Sequence, residues 1–195
     1  MPMNEQVAPG GIEWTRILLP DGTRSTGWTW NPIGGCQHEC RWTMPDGAVA
    51  ECYAETAADR MTSAYPDGFA SHYWRPHLLN DPIKLKTPAG IFCGSMADNF
   101  GAWVPKEQTD QVLDVCRRAD WHTFMMLTKN APRLLQFEFP ANVWVGVSSP
   151  PDFMFGKPLT RNQQERMIRR TMTVLKQLKD ENRACVLWMS IEPLS

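Results

Sequence analysis

The chain has 195 residues, of which 43% are hydrophobic and 21% charged, and its formal net charge is −1. This length suits one sizeable domain, and the composition excludes an intrinsically disordered chain. The near-zero charge excludes a global basic field that would recruit nucleic acid. No stretch is apolar for the ~18 residues that a membrane span requires, and residues 1–11 lack the pattern of a signal peptide. We therefore expect a cytoplasmic protein without membrane contact.

Short apolar runs alternate with amphipathic stretches in the first part of the chain. The first strand is expected at Trp28–Trp30. Residues 52–61 are rich in Ala and Glu, with apolar side chains at helical spacing, which predicts a helix. Ile91–Ser95 is the second predicted strand. A helix follows it, with Pro105 near its start and Ala119 at its end.

The same alternation continues to the end of the chain. Thr123–Leu127 is apolar throughout, as is typical of a strand covered on both faces. A short helix is expected near Pro132, followed by a fourth strand at Val143–Val147. Arg161–Lys179 predicts a long amphipathic helix, and Cys185–Met189 a fifth strand. The apolar stripe of the long helix consists of Ile168, Met172, Leu175 and Leu178.

We expect a single α/β domain over residues 1–195, built as a partial parallel (β/α) barrel. Strand–helix alternation of this kind joins parallel strands by right-handed crossovers. Pro20–Gly22 and Pro45–Gly47 mark tight turns inside two segments, 16–27 and 41–51, which are insertions relative to the families that the chain resembles. Five strands do not close a barrel. Either the sheet is an open arc, or the chain is the N-terminal part of a longer protein truncated after its fifth strand; we favour the second.

Polar side chains follow directly after the predicted strands. Parallel α/β sheets and barrels place their ligands at the carboxyl ends of their strands. The cysteine-rich loop after the first strand belongs at the same edge, so the sequence predicts a ligand site there. The polar residues at this edge are Ser95, Asp98, Thr128, Lys129, Ser148, Ser149 and Glu192.

Three cysteines, Cys36, Cys40 and Cys52, fall within 17 residues. Thiolates bind iron–sulfur clusters and zinc alike, and clustered thiols in a reducing compartment more often hold metal than form disulfides. Three thiolates on a four-iron cluster leave one iron open to an exogenous ligand such as S-adenosylmethionine. The alternative is a closed zinc site with His38 as fourth ligand, in a non-catalytic binding module. Unliganded thiols and a solvated His38 are the third interpretation.

The other three cysteines have a simpler interpretation. Cys93, Cys116 and Cys185 lie within apolar strand or helix patterns. A free buried cysteine behaves as a small hydrophobic residue, so we assign all three to the core. Cys93 shares strand parity with Ser95 and is a minor candidate for the barrel interior.

A cysteine loop after the first strand of a partial barrel resembles the radical S-adenosylmethionine enzymes, whose usual spacing is Cys-x3-Cys-x2-Cys. The chain is more closely similar to an uncharacterised bacterial and phage family labelled "phage gp thirty-seven / gp sixty-eight", itself radical-SAM-like. The phrases of that family run in order through most of this chain. They are Ile12–Thr15, Trp30–Cys36, Cys52–Glu55, Phe92–Asp98, Leu127–Lys129, Val143–Ser148 and Ser190–Leu194.

The resemblance implies a [4Fe-4S] cluster on the cysteine triad, S-adenosylmethionine as cofactor, a 5′-deoxyadenosyl radical and a flavodoxin- or ferredoxin-like electron donor. It implies that Ser95 and Asp98 lie where such enzymes contact the amino group of the cofactor; a turn or helix cap is an equal alternative for Asp98. Lys129 and Glu192 bind the carboxylate and ribose or pair with each other, and Ser148 is a weaker candidate. The substrate is unknown, and nucleic acid is suggested by analogy with the family.

Two departures from the radical-SAM pattern affect the triad. Eleven residues separate Cys40 from Cys52 where those enzymes have two. The aromatic residue that usually precedes the third cysteine and packs on the adenine is replaced by Glu51, so Trp42 or Tyr53 must take that role. A hairpin in the insertion would bring Cys52 beside Cys40.

A basic set lies on the polar side of the long helix. Such a set is most often a solvated face, and contact with nucleic acid is the alternative. Its members are Arg161, Arg166, Arg169, Arg170 and Lys176.

Overall fold

A computed structural model describes residues 3–7 and 9–191 of the chain, which form a mixed α/β fold. The strands are β1 (Asn4–Glu5), β2 (Thr26–Trp30), β3 (Ile33–Gly34), β4 (Arg41–Thr43), β5 (Val49–Glu51), β6 (Tyr73–Trp74), β7 (Ala89–Cys93), β8 (Thr123–Thr128), β9 (Val143–Ser148), β10 (Phe153–Met154), β11 (Lys157–Pro158) and β12 (Val186–Ser190). The helices are α1 (Tyr53–Asp59), α2 (Asp81–Lys84), α3 (Lys106–Arg118) and α4 (Arg161–Asp180), with 3-10 turns at Glu13–Thr15, Pro76–Leu78 and Ala131–Gln136. The five predicted strands and both long helices are confirmed.

Six strands form the main sheet, in the order β1-β2-β7-β8-β9-β12. Every neighbouring pair is parallel except β1 and β2. The carboxyl ends of β2, β7, β8, β9 and β12 therefore share one edge, which we call the rim. Within the described residues the sheet does not close, because β1 and β12 are its two outer strands. No helix of this part of the chain is long and apolar enough to cross a membrane.

One face of the sheet packs against the helices and forms the main core. Side chains from β2, β7, β8 and β9 interlock there with α3 and the second half of α4. Cys93 and Cys116 belong to this core, as predicted. Helix α4 starts at a capping box, in which Thr160 and Gln163 bond reciprocally across the first turn.

The outer edge at β12 is less covered than predicted. Of the expected stripe on α4, Leu175 and Leu178 are buried, whereas Ile168 and Met172 are exposed. Cys185 is exposed as well, so its assignment to the core is wrong. The reason is positional: β12 is the last strand in the sheet order, and only the second half of α4 packs onto the sheet.

The opposite face of the sheet is covered by the N-terminal segment, residues 12–16. Gly27 and Gly90 are directly paired on β2 and β7. A Cβ at either glycine would collide with Thr15, which is fully buried in the notch between them. Trp14 packs against the same face of the sheet, with its ring centroid 4.7 Å from that of Phe92. This segment forms one wall of the site at the rim.

Candidate cofactor site at the rim of the sheet

The insertion at 41–51 is a hairpin that closes the gap between two cysteines. Strands β4 and β5 pair antiparallel with Arg41 opposite Glu51. Cys40 and Cys52 are the next residues outward from that pair, so they flank the base of the hairpin. The turn falls where Pro45–Gly47 predicts it, with Gly47 at φ 82°. Sequence distance between these cysteines therefore does not keep them apart.

Arg41 ties the hairpin base to the helix that follows Cys52. Its guanidinium donates to both carboxylate oxygens of Glu55, at 2.6 and 3.1 Å, and to the carbonyl of Cys40 at 2.9 Å. Two-point pairing of this type constrains orientation as well as distance. The backbones at Cys40 and Cys52 are thus held together by the pairing of β4 with β5 and by the bonds from Arg41 to Glu55 of α1.

The glycines before Cys36 allow a close approach of the backbone. Gly35 has φ 84°, and a Cβ there would collide with the carbonyl of Ser71. Its N–H donates to the carbonyl of Met96 at 3.0 Å, and the Cys36 N–H donates to that of Phe69 at 2.8 Å. Only glycine adopts this conformation in this space without strain. The loop is thereby docked on the end of β7.

A cavity of about 260 Å³ opens at the rim. All three cysteines of the triad line it, Cys36 and Cys40 from one loop and Cys52 from beyond the hairpin. It also collects five of the six side chains predicted to bind a cofactor, and the sixth, Glu192, lies outside the described residues. Those five are Tyr53, Ser95, Asp98, Lys129 and Ser148.

Two thiols of the triad, those of Cys36 and Cys40, have pKa values above the ordinary value for cysteine. Burial, reinforced by the carboxylate of Asp98, raises the pKa of Cys36 far above its ordinary value of 9.0. Burial raises the pKa of Cys40 to about 12, with the Lys129 ammonium acting in the opposite direction. Among residues 3–7 and 9–191, no group of three His, Cys, Asp or Glu side chains is arranged so that it could hold a single metal ion.

His38, between the first two cysteines, is buried rather than solvated. Its Nε2 lies 2.8 Å from Oδ2 of Asp98. The same oxygen accepts the Thr128 hydroxyl at 2.9 Å and the Lys129 N–H at 3.0 Å, while Oδ1 accepts the Phe100 N–H at 2.9 Å. Burial opposes ionisation of Asp98, but its bonds to His38, Lys129 and Thr128 outweigh it and lower the pKa of this carboxyl.

These contacts define the role of Asp98. Its oxygens already accept four hydrogen bonds, which fills the usual capacity of a carboxylate. Asp98 therefore joins the cysteine loop to the ends of β7 and β8, and its Oδ1 bond is the turn-type contact that the sequence allowed as an alternative. It is a positioning residue of the site.

Three ring nitrogens around the cysteine loop are buried without a hydrogen-bond partner. They are Nδ1 of His38, Nε1 of Trp42 and Nε1 of Trp103. The Trp103 ring meets His38 edge-on, with centroids 4.8 Å apart. In the neutral tautomer whose Nε2 donates to the carboxylate, Nδ1 presents a lone pair, whereas the two indoles present N–H donors. Unpaired buried polar groups are costly and rarely retained without a function.

The remaining predicted residues lie at the mouth of the cavity. The Tyr53 hydroxyl donates to the Ser95 carbonyl at 2.6 Å, and the Ser95 hydroxyl is 3.0 Å from Nδ2 of Asn31. The Lys129 ammonium lies 5.5 Å from the centre of the Trp42 ring. No carboxylate of the described residues forms an ion pair with Lys129.

Sequence reasoning missed a second piece of the site, at residues 152–158. Strand β10 pairs with both β11 and β4, which extends the cysteine hairpin into a four-stranded sheet. The Phe155 N–H donates to the His38 carbonyl at 2.7 Å, and its ring packs on the imidazole with centroids 5.4 Å apart. The sequence signal for this hairpin was Gly156, because hairpin turns favour glycine at positions of positive φ, and its φ is 69°.

Comparison with known proteins returned one informative result. A family model described as "Protein of unknown function (DUF5131)" matches residues 12–195. No curated protein and no solved structure matches the chain. The matched region includes every residue that lines the cavity at the rim. The chain therefore belongs to the DUF5131 family of proteins of unknown function.

Proposed function

We propose that this protein is a radical S-adenosylmethionine-type enzyme that holds a [4Fe-4S] cluster on Cys36, Cys40 and Cys52. The observation that carries the proposal is the convergence of these three thiols on one cavity at the rim of a parallel sheet. In this proposal the open sheet is the arc of a partial (β/α) barrel. S-adenosylmethionine occupies the cavity, and a flavodoxin- or ferredoxin-like protein supplies the electron.

The donor set suits a cluster better than a single ion. Each thiolate of a four-iron cluster binds a different iron, so the sulfurs stand further apart than three ligands of one ion. The unpaired indole N–H of Trp42, which lines the cavity, is a suitable donor to cluster sulfur, and such bonds tune the potential of a cluster.

When bound, the reduced cluster supplies the electron that cleaves the sulfonium bond of S-adenosylmethionine. The protein's own side chains have three tasks in this arrangement. Trp14, Phe92 and Leu127 provide an apolar wall that excludes water. The Lys129 ammonium reduces the negative charge that accumulates near Cys40, and Ser95 and Ser148 offer hydroxyls to the amino-acid part of the cofactor.

Anaerobic reconstitution with iron and sulfide tests the proposal. The protein is expected to turn brown, bind about four irons and, once reduced, convert S-adenosylmethionine to 5′-deoxyadenosine. Cys52→Ala is expected to lose the colour and the product. Cys185→Ala is the matched control, because Cys185 is exposed and lies outside the cavity. Colour without 5′-deoxyadenosine would reduce the proposal to a structural or electron-carrying cluster.

A zinc-stabilised binding module is the second candidate, and the geometry of His38 favours it. A metal-ligating histidine usually gives its other ring nitrogen to a carboxylate, and His38 gives Nε2 to Asp98 while Nδ1 has no partner. Metal analysis of the protein as purified separates the two candidates. A colourless protein with one zinc, lost in His38→Gln, would contradict the enzyme proposal.

A nucleic-acid substrate stays a prediction. The basic side chains of α4 are partly neutralised within the helix, since Arg161 pairs with Glu165 and Lys176 with Asp180. This pattern supports the solvated-face interpretation of that set. The enzyme proposal does not depend on it.

A further inference from the structure

A second cavity, of about 300 Å³, adjoins the first. The two cavities share three wall residues, Ile12, Tyr53 and Ser95. The guanidinium of Arg75 lines the second cavity but not the first. We propose that this cavity binds a small organic anion, with Arg75 holding its carboxylate or phosphate group.

The fold holds Arg75 in place through a short ribbon. Strands β3 and β6 pair Gly34 with Tyr73, and the Arg75 N–H donates to the Pro32 carbonyl at 2.8 Å. The guanidinium packs against Gly34, where a Cβ would collide with it. Its other side meets the rings of two tyrosines, with centroid distances of 4.9 Å to Tyr65 and 5.2 Å to Tyr73. Cation–π contacts of this kind are made more often by arginine than by lysine.

Arg75 has donors to spare and no acidic partner. Its Nη2 donates to the Ala64 carbonyl at 2.8 Å, and its side chain also hydrogen-bonds to that of Tyr65. No carboxylate in the described part of the chain forms an ion pair with it. A guanidinium has five N–H donors, and a partly buried cation without a counter-ion is costly. An incoming oxyanion would accept two of these donors side by side, as arginine sites for carboxylate and phosphate do.

The other walls set the character of the ligand. Gln6, Thr29 and Asn31 make one wall polar, although their side chains also hydrogen-bond to neighbouring protein groups. Met61 and Met96 form an apolar wall. The volume fits a small molecule with one anionic end and a mixed polar and apolar body. This inference requires no cluster in the first cavity, so it stands apart from the proposed function.

Titration of the full chain with inorganic phosphate and, separately, with succinate tests the inference. Binding of at least one probe is expected, with Arg75→Lys weakening it by about tenfold or more. Arg60→Lys is the control, because Arg60 is exposed and lies outside the cavity. Preference for one probe identifies the anionic group as phosphate or carboxylate.

A measurement on the unaltered chain covers the case in which the variant misfolds. Phenylglyoxal labels accessible arginines, and mass spectrometry locates the label. The bound probe is expected to protect Arg75 and leave Arg60 labelled at its original rate. Equal labelling with and without both probes, or unchanged affinity in Arg75→Lys, would overturn the inference.

Discussion

Two buried histidines represent two different regions of this protein. His122 lies on the helical face of the sheet, where Nδ1 accepts the Ala89 N–H at 3.1 Å and Nε2 donates to the carbonyls of Pro82 and Leu85, both at 3.0 Å. His38 lies at the rim, where Nε2 meets Asp98 and Nδ1 has no partner. Both ring nitrogens of His122 are hydrogen-bonded, whereas only one ring nitrogen of His38 is.

Two tryptophans, one from each region, repeat the contrast. Trp30 is 1% exposed, and its indole N–H donates to the Leu78 carbonyl at 2.9 Å. The indole N–H of Trp42 is buried without a partner. The buried ring nitrogens of His122 and Trp30 on the helical face are thus hydrogen-bonded, which stabilises the fold, whereas Nδ1 of His38 and Nε1 of Trp42 at the rim have no partner. Paired substitutions in the two regions should therefore affect different properties.

Phe124→Ala should give the largest effect. Phe124 is completely buried between Trp30 and His122. The empty space left by the missing ring should therefore lower the free energy of unfolding by about 3–5 kcal/mol. Urea denaturation measures it. Phe155→Ala, at a phenylalanine 55% exposed at the rim, should cost less than about 1 kcal/mol. Similar losses in both variants would remove the distinction between the regions.

Gly35→Ala should come next. The substitution combines a left-handed backbone angle with a collision against the Ser71 carbonyl, so the loss should exceed the about 1–2 kcal/mol expected for the backbone angle alone. Gly47→Ala is the control, because Gly47 has a similar φ of 82° with open space around it. Unfolding curves give both values. Reconstituted Gly35→Ala should also bind less iron, and full iron content would contradict the docking role of this glycine.

His122 should make stability depend on pH. Burial lowers its pKa below the ordinary 6.5, since the charged ring would lose its hydration. Protonation of Nδ1 would in addition break the bond from the Ala89 N–H. As pH falls below 6.5, the unfolded chain gains a proton that the folded chain resists, so this ring should cost stability by up to about 1.4 kcal/mol per pH unit. The stability difference between the unaltered chain and His122→Gln should shrink from pH 8 to pH 5. A constant difference would show that the ring is not excluded from protonation.

Trp42→Phe should have the smallest effect on stability. Removing an unpaired buried donor breaks no hydrogen bond, so the change in unfolding free energy should stay below about 1 kcal/mol. Trp30→Phe is the matched control, because it leaves the Leu78 carbonyl unpaired and should cost about 1–3 kcal/mol. If Trp42→Phe also shifts the visible spectrum of the reconstituted protein, the indole faces the cluster. A larger loss of stability at Trp42 than at Trp30 would reverse the assignment of the regions.

The central strands were predictable because their apolar runs are long and their neighbours are sequential. Thr123–Leu127 shows this, since it is apolar throughout and becomes β8 at the centre of the sheet. The polar side chains after such strands were predictable for the same reason, because parallel strands align their carboxyl ends. The position of these side chains along one edge of the sheet therefore followed from the sequence.

The parts that escaped prediction depend on tertiary neighbours. The exposure of Ile168 and Cys185 depends on what covers β12, which no local pattern records. The burial of His38 depends on Asp98, sixty residues away. The two-residue strands, such as β10, are too short to show periodicity. The notch for Thr15 needs two glycines that are distant in the chain and paired only in the sheet.

The hairpin at 41–51 changes how related chains should be recognised. Cys40 and Cys52 are neighbours because Arg41 pairs with Glu51, and that pairing is indifferent to the length of the hairpin beyond it. Lengthening or shortening both strands together keeps the register, whereas an unbalanced change turns one strand over. A search pattern with a fixed interval between the second and third cysteines would therefore miss relatives. A pattern that allows a self-complementary insertion of variable length would find them.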